Sequence, residues 1–173
     1  ISVSISGDTA LVGAFADDED GPGDLIDLGS AYVFTRTAGV WTEQQKLSAD
    51  DPGEEDFFGF SVAVSGDTAL IGAYQNDGAV ADSGAAYAFT RTGAEGSQQR
   101  RLLASDPEVG DAFGYAVAIS GNMAIVSGHG GDDNGSQSGS AYVFRKELPS
   151  LCLCKTVGSW IEEKKLLPDD GMA

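Results

Sequence analysis

The chain has 173 residues, with 27 Asp plus Glu against 10 Lys plus Arg, a formal net charge of −17, 24 glycines and 42% hydrophobic residues. That composition belongs to a folded acidic chain rather than a disordered one, and it excludes nucleic acid and anionic lipid as partners, since both are held by Lys and Arg on phosphate. No stretch reaches the roughly eighteen apolar residues that a membrane helix needs, which excludes direct insertion by a helix.

The first predicted elements lie in SVSISGDTALVGA, residues 2–14, where two alternating runs flank Gly7-Asp8. A glycine-first pair between alternating strands is the signature of a tight two-residue hairpin. GSAYVF (Gly29–Phe34) then predicts a third strand and QQKLSADD, from Gln44, a fourth. The same phrases return as SVAVSGDTALIGA (61–73), GAAYAF (84–89) and QQRRLLASD (from Gln98). They return again, more loosely, as AVAISGNMAIVSG (116–128), GSAYVF (139–144) and EKKLLPDD (from Glu163). Gly29, Gly84 and Gly139 are each 55 positions apart, so three units, approximately 1–56, 57–111 and 112–173, fill one propeller region.

The second unit shows the parsing most clearly. Phe60, Val62 and Val64 alternate with Ser61, Ala63 and Ser65 as strand one, Gly66-Asp67 turns the chain, and Thr68–Tyr74 returns as strand two. Ala85–Thr92 is strand three, Gly93–Gly96 a turn, and Gln98–Ala104 strand four, with Arg100 and Arg101 placed to keep an outer edge from pairing with other chains. Nothing in the unit has helical periodicity. The fold class is therefore all-β: beta-propeller blades, three four-stranded antiparallel repeats of about 55 residues. Tyr32, Phe34, Tyr87, Phe89, Tyr142 and Phe144 are expected to fill the space between neighbouring sheets, with Trp41 and Trp160 packing at the start of strand four. Closed propellers have about four to eight blades, so three units lead to the expectation of a piece of a longer array, or of a chain that closes by self-association. Nine extra residues around KELPSLCLC enlarge the third unit's last turn. Cys152 and Cys154 within it stand too close for an easy disulfide, and with the lone His129 they fall short of a zinc set.

Phe58-Gly59 and Phe113-Gly114 open two units, while Gly13-Ala14 and Gly72-Ala73 close two second strands. In these motifs the chain resembles the FG-GAP repeat family, best known from the propellers of integrin alpha subunits. The third unit departs with Ser127-Gly128, and no unit has the proline of the family name. The resemblance implies an extracellular or cell-surface propeller used for binding and adhesion, with calcium often held in blade loops. The integrin-type calcium pattern lies ahead of the second strand. Here the short Gly-Asp or Gly-Asn hairpin occupies that place, so Asp8, Asp67 and Asn122 read as turn formers.

Antiparallel order puts the loops between strands two and three at the same end as the connections from strand four to the next unit. Twenty of the 27 acids fall in those two sets of segments, which predicts a face that concentrates cations and steers basic partners. DDEDGPGD (Asp17–Asp24) and GDDNGSQS (Gly131–Ser138) come nearest to a loop of hard oxygen ligands folded around a glycine. The candidate Ca2+ ligands are accordingly Asp18, Asp20, Asp24, Asp77, Asp132 and Asp133, although each loop lacks one or more positions of the full pattern. Asn134-Gly135-Ser136 also fits a glycosylation acceptor, with a plain loop turn as the other reading.

The expected function is a noncatalytic binding or adhesion module for a protein or glycan ligand, since variable loops on a repeated scaffold suffice for that. A carbohydrate-binding propeller is the alternative, weighed against the few loop aromatics, Phe15 and Tyr74, with His129 near the third loop. A propeller-fold hydrolase stands third: paired acids are abundant, but a nucleophile, base and orienting group do not recur together.

Overall fold

The computed structural model describes residues 1–17, 26–131, 138–147 and 159–167. Asp18, Asp20, Asp24, Asp132, Asp133, Asn134, both cysteines and most of the inserted segment lie outside the described residues. Twelve strands form three four-stranded antiparallel sheets, each built from consecutive strands. The first holds β1 (Ser2–Ser6), β2 (Thr9–Ala14), β3 (Ser30–Thr37) and β4 (Val40–Leu47). The second holds β5 (Ser61–Ser65), β6 (Thr68–Ala73), β7 (Ala85–Thr92) and β8 (Glu95–Leu102). The third holds β9 (Phe113–Ser120), β10 (Met123–Gly128), β11 (Ser140–Lys146) and β12 (Trp160–Leu166).

The glycine-first hairpins form as predicted. Gly7, Gly66 and Gly121 have φ of 59°, 57° and 59°, the left-handed conformation that the first residue of this tight turn requires. Asp8 and Asp67 each accept a side-chain hydrogen bond, from Arg36 Nε at 2.7 Å and from Arg91 Nε at 3.0 Å, and so brace the turn against strand three. Both acids are turn formers in the structure.

Strand four begins earlier than predicted in the second unit. Thr92 pairs with Glu95, so the turn is only Gly93-Ala94 and β8 ends at Leu102. Compensation comes from a bulge: Ala88 pairs with Arg100 but Phe89 with Gln98, leaving Gln99 unpaired. Equivalent bulges occur after Val33 and after Val143. An extra residue in one strand re-aims those beyond it and cannot be read from alternation, because it breaks alternation.

Two apolar layers hold the sheets together. Leu11, Ala31 and Leu47 of the first sheet meet Val62, Val64, Ile71, Tyr87 and Phe89 of the second. The opposite side of the second sheet, through Leu70, Ala88 and Leu102, meets Phe113, Val126, Tyr142, Phe144 and Trp160 of the third. Alternation thus serves both faces of the middle sheet, whose β6 is buried throughout. Phe58 and Phe113 sit in these layers edge-on to tyrosines, at 5.4 Å from Tyr87 and 5.3 Å from Tyr142. Tyr32 and Phe34 depart from expectation. They lie half-buried, because no sheet covers their face among the described residues. Trp160 is buried whereas Trp41 is exposed, and Gly96 holds the corresponding place in the second sheet.

Where sheets meet near their innermost strands, backbone touches backbone. A Cβ on Gly13 would collide with the Gly59 carbonyl, and one on Gly72 with the Gly114 carbonyl. Ser2 Oγ donates to Gly59 O at 2.9 Å and Ser61 Oγ to Gly114 O at 2.7 Å across the same seams. The Gly-Ala and Phe-Gly pairs are therefore two halves of one contact, with the ring anchoring the layer and the glycines admitting the close approach.

Candidate functional site

At one end of the sheets the loop after strand two lies alongside the connection from strand four. Glu55 N, Phe57 N and Phe58 N donate to the carbonyls of Ile26, Asp27 and Leu28 at 3.0, 3.1 and 3.1 Å. The next seam repeats this, with Gly110 N, Ala112 N and Phe113 N donating to Ala81, Asp82 and Ser83. This is the end where the sequence places most of its acids.

Crossing that end is a continuous row of rings that spans all three units. Phe15 packs on Phe57 at 5.9 Å and on Phe60 at 5.6 Å. Tyr74 stacks on Phe57 at 5.6 Å and lies 4.4 Å from Phe60. Tyr115 continues the row, 5.1 Å from Phe60 and 5.7 Å from Tyr74, and stacks on His129 at 4.5 Å with planes 5° apart. Tyr115 and His129 are exposed and the other rings half-buried, so the row presents edges and faces to solvent. Burial raises the Tyr74 hydroxyl above its ordinary range, and the neighbouring Tyr115 and Asp82 push the same way. Tyr74 stays a neutral hydrogen-bonding tip.

The chain builds this row by position. Phe15, Tyr74 and His129 each directly follow a second strand, and Phe60 and Tyr115 directly follow the Phe-Gly pair. Phe57 joins differently: its φ of 54° is left-handed, a conformation that costs a residue with a Cβ about 1–2 kcal/mol. Ala112, its counterpart, shares that φ without contributing a ring. Sequence reading had singled out Phe15, Tyr74 and His129 and missed Phe57, Phe60 and Tyr115. The available signal was that Phe60 and Tyr115 stand fourteen positions before Tyr74 and His129.

Beside the row is an acidic recess of about 680 Å³ lined by Asp51, Glu54, Glu55, Asp56, Asn76 and Asp77, with Arg101 at its side. Asp56 is buried and accepts from Gly53 N at 2.7 Å and Asn76 Nδ2 at 2.8 Å. Burial raises its pKa, the two hydrogen bonds oppose the rise, and Asp51 and Asp77 add to it. Asp111 repeats the clasp in the next connection, accepting from Glu108 N at 2.7 Å.

Acids also tie units together. Asp51 binds Arg101 at 2.6 Å, and its counterpart Asp106 binds Lys165 at 2.9 Å and the Tyr142 hydroxyl at 2.9 Å. Burial pushes Asp106 upward, but the bonds from Lys165 and Tyr142 outweigh it and hold the carboxyl below its ordinary value. In the first unit the equivalent tyrosine and lysine, Tyr32 and Lys46, are held instead by Asp17 of the same unit.

Of the six predicted calcium ligands, only Asp77 is among the described residues. It is exposed at the recess and accepts from Asp82 N at 3.1 Å. Among the described residues no group of three or more His, Cys, Asp or Glu is placed to hold a metal.

The family model described as FG-GAP repeat matches residues 1–34, 41–89 and 97–144, three segments of which the second and third each begin in strand four of the preceding sheet. No curated protein matches the chain.

Proposed function

Because the chain belongs to the FG-GAP repeat family, we propose that it is a noncatalytic, extracellular binding or adhesion module whose ligand docks on the aromatic row at the acidic end. The fold is compatible with a propeller-type binding module. Supporting the finer reading is one observation: six rings from all three units, Phe15, Phe57, Phe60, Tyr74, Tyr115 and His129, converge on one partly exposed strip. Large rigid side chains of this kind contribute contact area at low cost in conformational entropy. The flanking carboxylates favour a ligand of positive or neutral charge.

A protein surface is the first reading. A glycan is the second, and the row itself favours it, since sugar rings stack on aromatic faces and the adjacent carboxylates accept hydroxyl hydrogen bonds. Probing a glycan array and a library of displayed extracellular domains with the wild-type chain and with Tyr115→Ala/His129→Ala separates the two. Binding confined to one class and lost in the double variant is the expected result. Binding that survives the double variant unchanged, or no binding in either format, overturns the proposal.

A further inference from the structure

Strand three carries a cation at the same place in each unit, Arg36, Arg91 and Lys146, and each pairs across to a residue near the start of strand four: Trp41, Gly96 and Trp160. Where that residue is tryptophan, the cation lies over its ring, Arg36 at 5.5 Å from the Trp41 centroid and Lys146 at 6.0 Å from that of Trp160. The second unit keeps the cation and lacks the ring. Between the second and third sheets the Trp160 ring is only 2% exposed and packs in the layer that holds Leu70, Ala88, Leu102, Phe144 and Ile119.

The seam between the first and second sheets holds a partly open pocket at the corresponding spot. Its apolar wall is Leu11, Val33, Leu47, Val64 and Phe89. These take the strand positions that Leu70, Ala88, Leu102, Ile119 and Phe144 hold in the layer around Trp160. Arg91 and Gly96 also line it. A Cβ on Gly96 would point at Gln45 Oε1, 3.3 Å away, and Leu47 Cδ2, 3.5 Å away, so a side chain there would enter the seam as Trp160 does, and glycine leaves the space open. Arg91 reaches Thr9 Oγ1 at 3.2 Å just as Lys146 reaches Thr68 Oγ1 at 3.0 Å, so both cations are held at their seams. The Gln45 amide spans the two sheets, accepting from Gly96 N at 2.6 Å and donating to Gly96 O at 2.9 Å, and ties the strands at this spacing.

We propose that this pocket binds a planar aromatic ring of about the size of indole, seated between the first two sheets with Arg91 over its face. The chain itself supplies the template, because equivalent walls close on its own tryptophan one seam away. The electron-rich face of such a ring complements the guanidinium charge, and its removal from water against aliphatic and phenyl walls is favourable. Gly66 and Asp67 of a hairpin and Ala94 of a strand three to four turn rim the pocket, which places it at the end opposite the aromatic row. It is therefore a second site, independent of the ligand proposed for that row. A free indole-like molecule and a tryptophan side chain of a bound partner present the same ring.

Chemical-shift titration of the isotope-labelled 173-residue chain with indole and with N-acetyltryptophanamide, each to roughly 5 mM and so above a millimolar Kd, tests the proposal. Saturable shifts at the Gly66, Ala94 and Gly96 amides are expected, with nuclear Overhauser contacts from ring protons to the methyls of Leu11, Leu47 and Val64. Gly96→Trp fills the pocket from within and is expected to abolish binding, and Arg91→Gln to weaken it about 2- to 5-fold, with strand circular dichroism confirming that each variant folds. If Gly96→Trp does not fold, the Overhauser contacts in wild type carry the same reading. Binding of indole alone assigns the pocket to a free small molecule, and binding of both probes to a partner's tryptophan side chain. Absence of saturable shifts with either probe, contacts confined to the aromatic row at the other end, or an affinity unchanged in either variant overturns the proposal.

Discussion

Gly13 of the first sheet lies against the Gly59 carbonyl of the second so closely that a side chain on Gly13 has no room. Gly72 repeats the relationship beneath Gly114. Gly13→Ala and Gly72→Ala should each destabilise the chain by about 1–3 kcal/mol, since the obstacle is backbone and the sheets must part. Urea unfolding measures this. A midpoint unchanged in both variants would mean that the seams are looser than the geometry states.

Phe113 and Phe58 anchor different layers, one on each side of the second sheet. Phe113→Ala and Phe58→Ala should each cost about 3–5 kcal/mol. The double variant should cost the sum to within about 0.5 kcal/mol, as expected of sites without shared partners. Strong non-additivity would show the layers to be coupled through β6.

Phe57 offers a test of strain at the aromatic row. Its φ of 54° makes glycine a better replacement than alanine, by about 1–2 kcal/mol, reversing the usual order of the two in ordered backbone. Phe57→Gly should therefore unfold at higher urea than Phe57→Ala. Both should weaken ligand capture by the row, having lost the same ring.

Asp56 has a raised pKa because it is buried, with Asp51 and Asp77 adding to the effect against the hydrogen bonds from Asn76 and Gly53. A raised carboxyl pKa means that the folded chain takes up this proton before the unfolded one does. Asp56 therefore costs stability at neutral pH, and that cost is relieved as pH falls through its folded pKa toward the ordinary carboxylate range. The melting temperature of wild type minus that of Asp56→Asn should rise over that interval. A flat difference would sink the assignment.

Calcium remains an expectation resting on Asp18, Asp20, Asp24, Asp77, Asp132 and Asp133. Thermal unfolding at increasing calcium decides it: a midpoint that climbs over about 0.1–1 mM supports extracellular-grade sites, and one unmoved at several times that concentration rejects them. Asp18→Asn/Asp20→Asn should remove most of any climb.

Much of this was legible from residue order alone. The 55-residue spacing, the glycine-first hairpins and the strand alternation depend on local geometry, which repeats wherever the residues repeat, so four strands per unit and the acidic end could be placed without coordinates. Strand-four register could not, because a bulge leaves no mark in a charged edge strand. Phe60 and Tyr115 read in sequence as the start of a strand, and only the approach of neighbouring sheets turns them, with Phe57, into a row.

What the sequence determined by itself was the repeating unit, because turn chemistry and alternation act over a few residues. Tertiary structure decided which apolar faces are covered, as Trp160 and Trp41 show. The two occupy equivalent positions in their strands, yet one is buried and one open. Burial depends on whether a neighbouring sheet is there, and that lies beyond anything a single unit encodes.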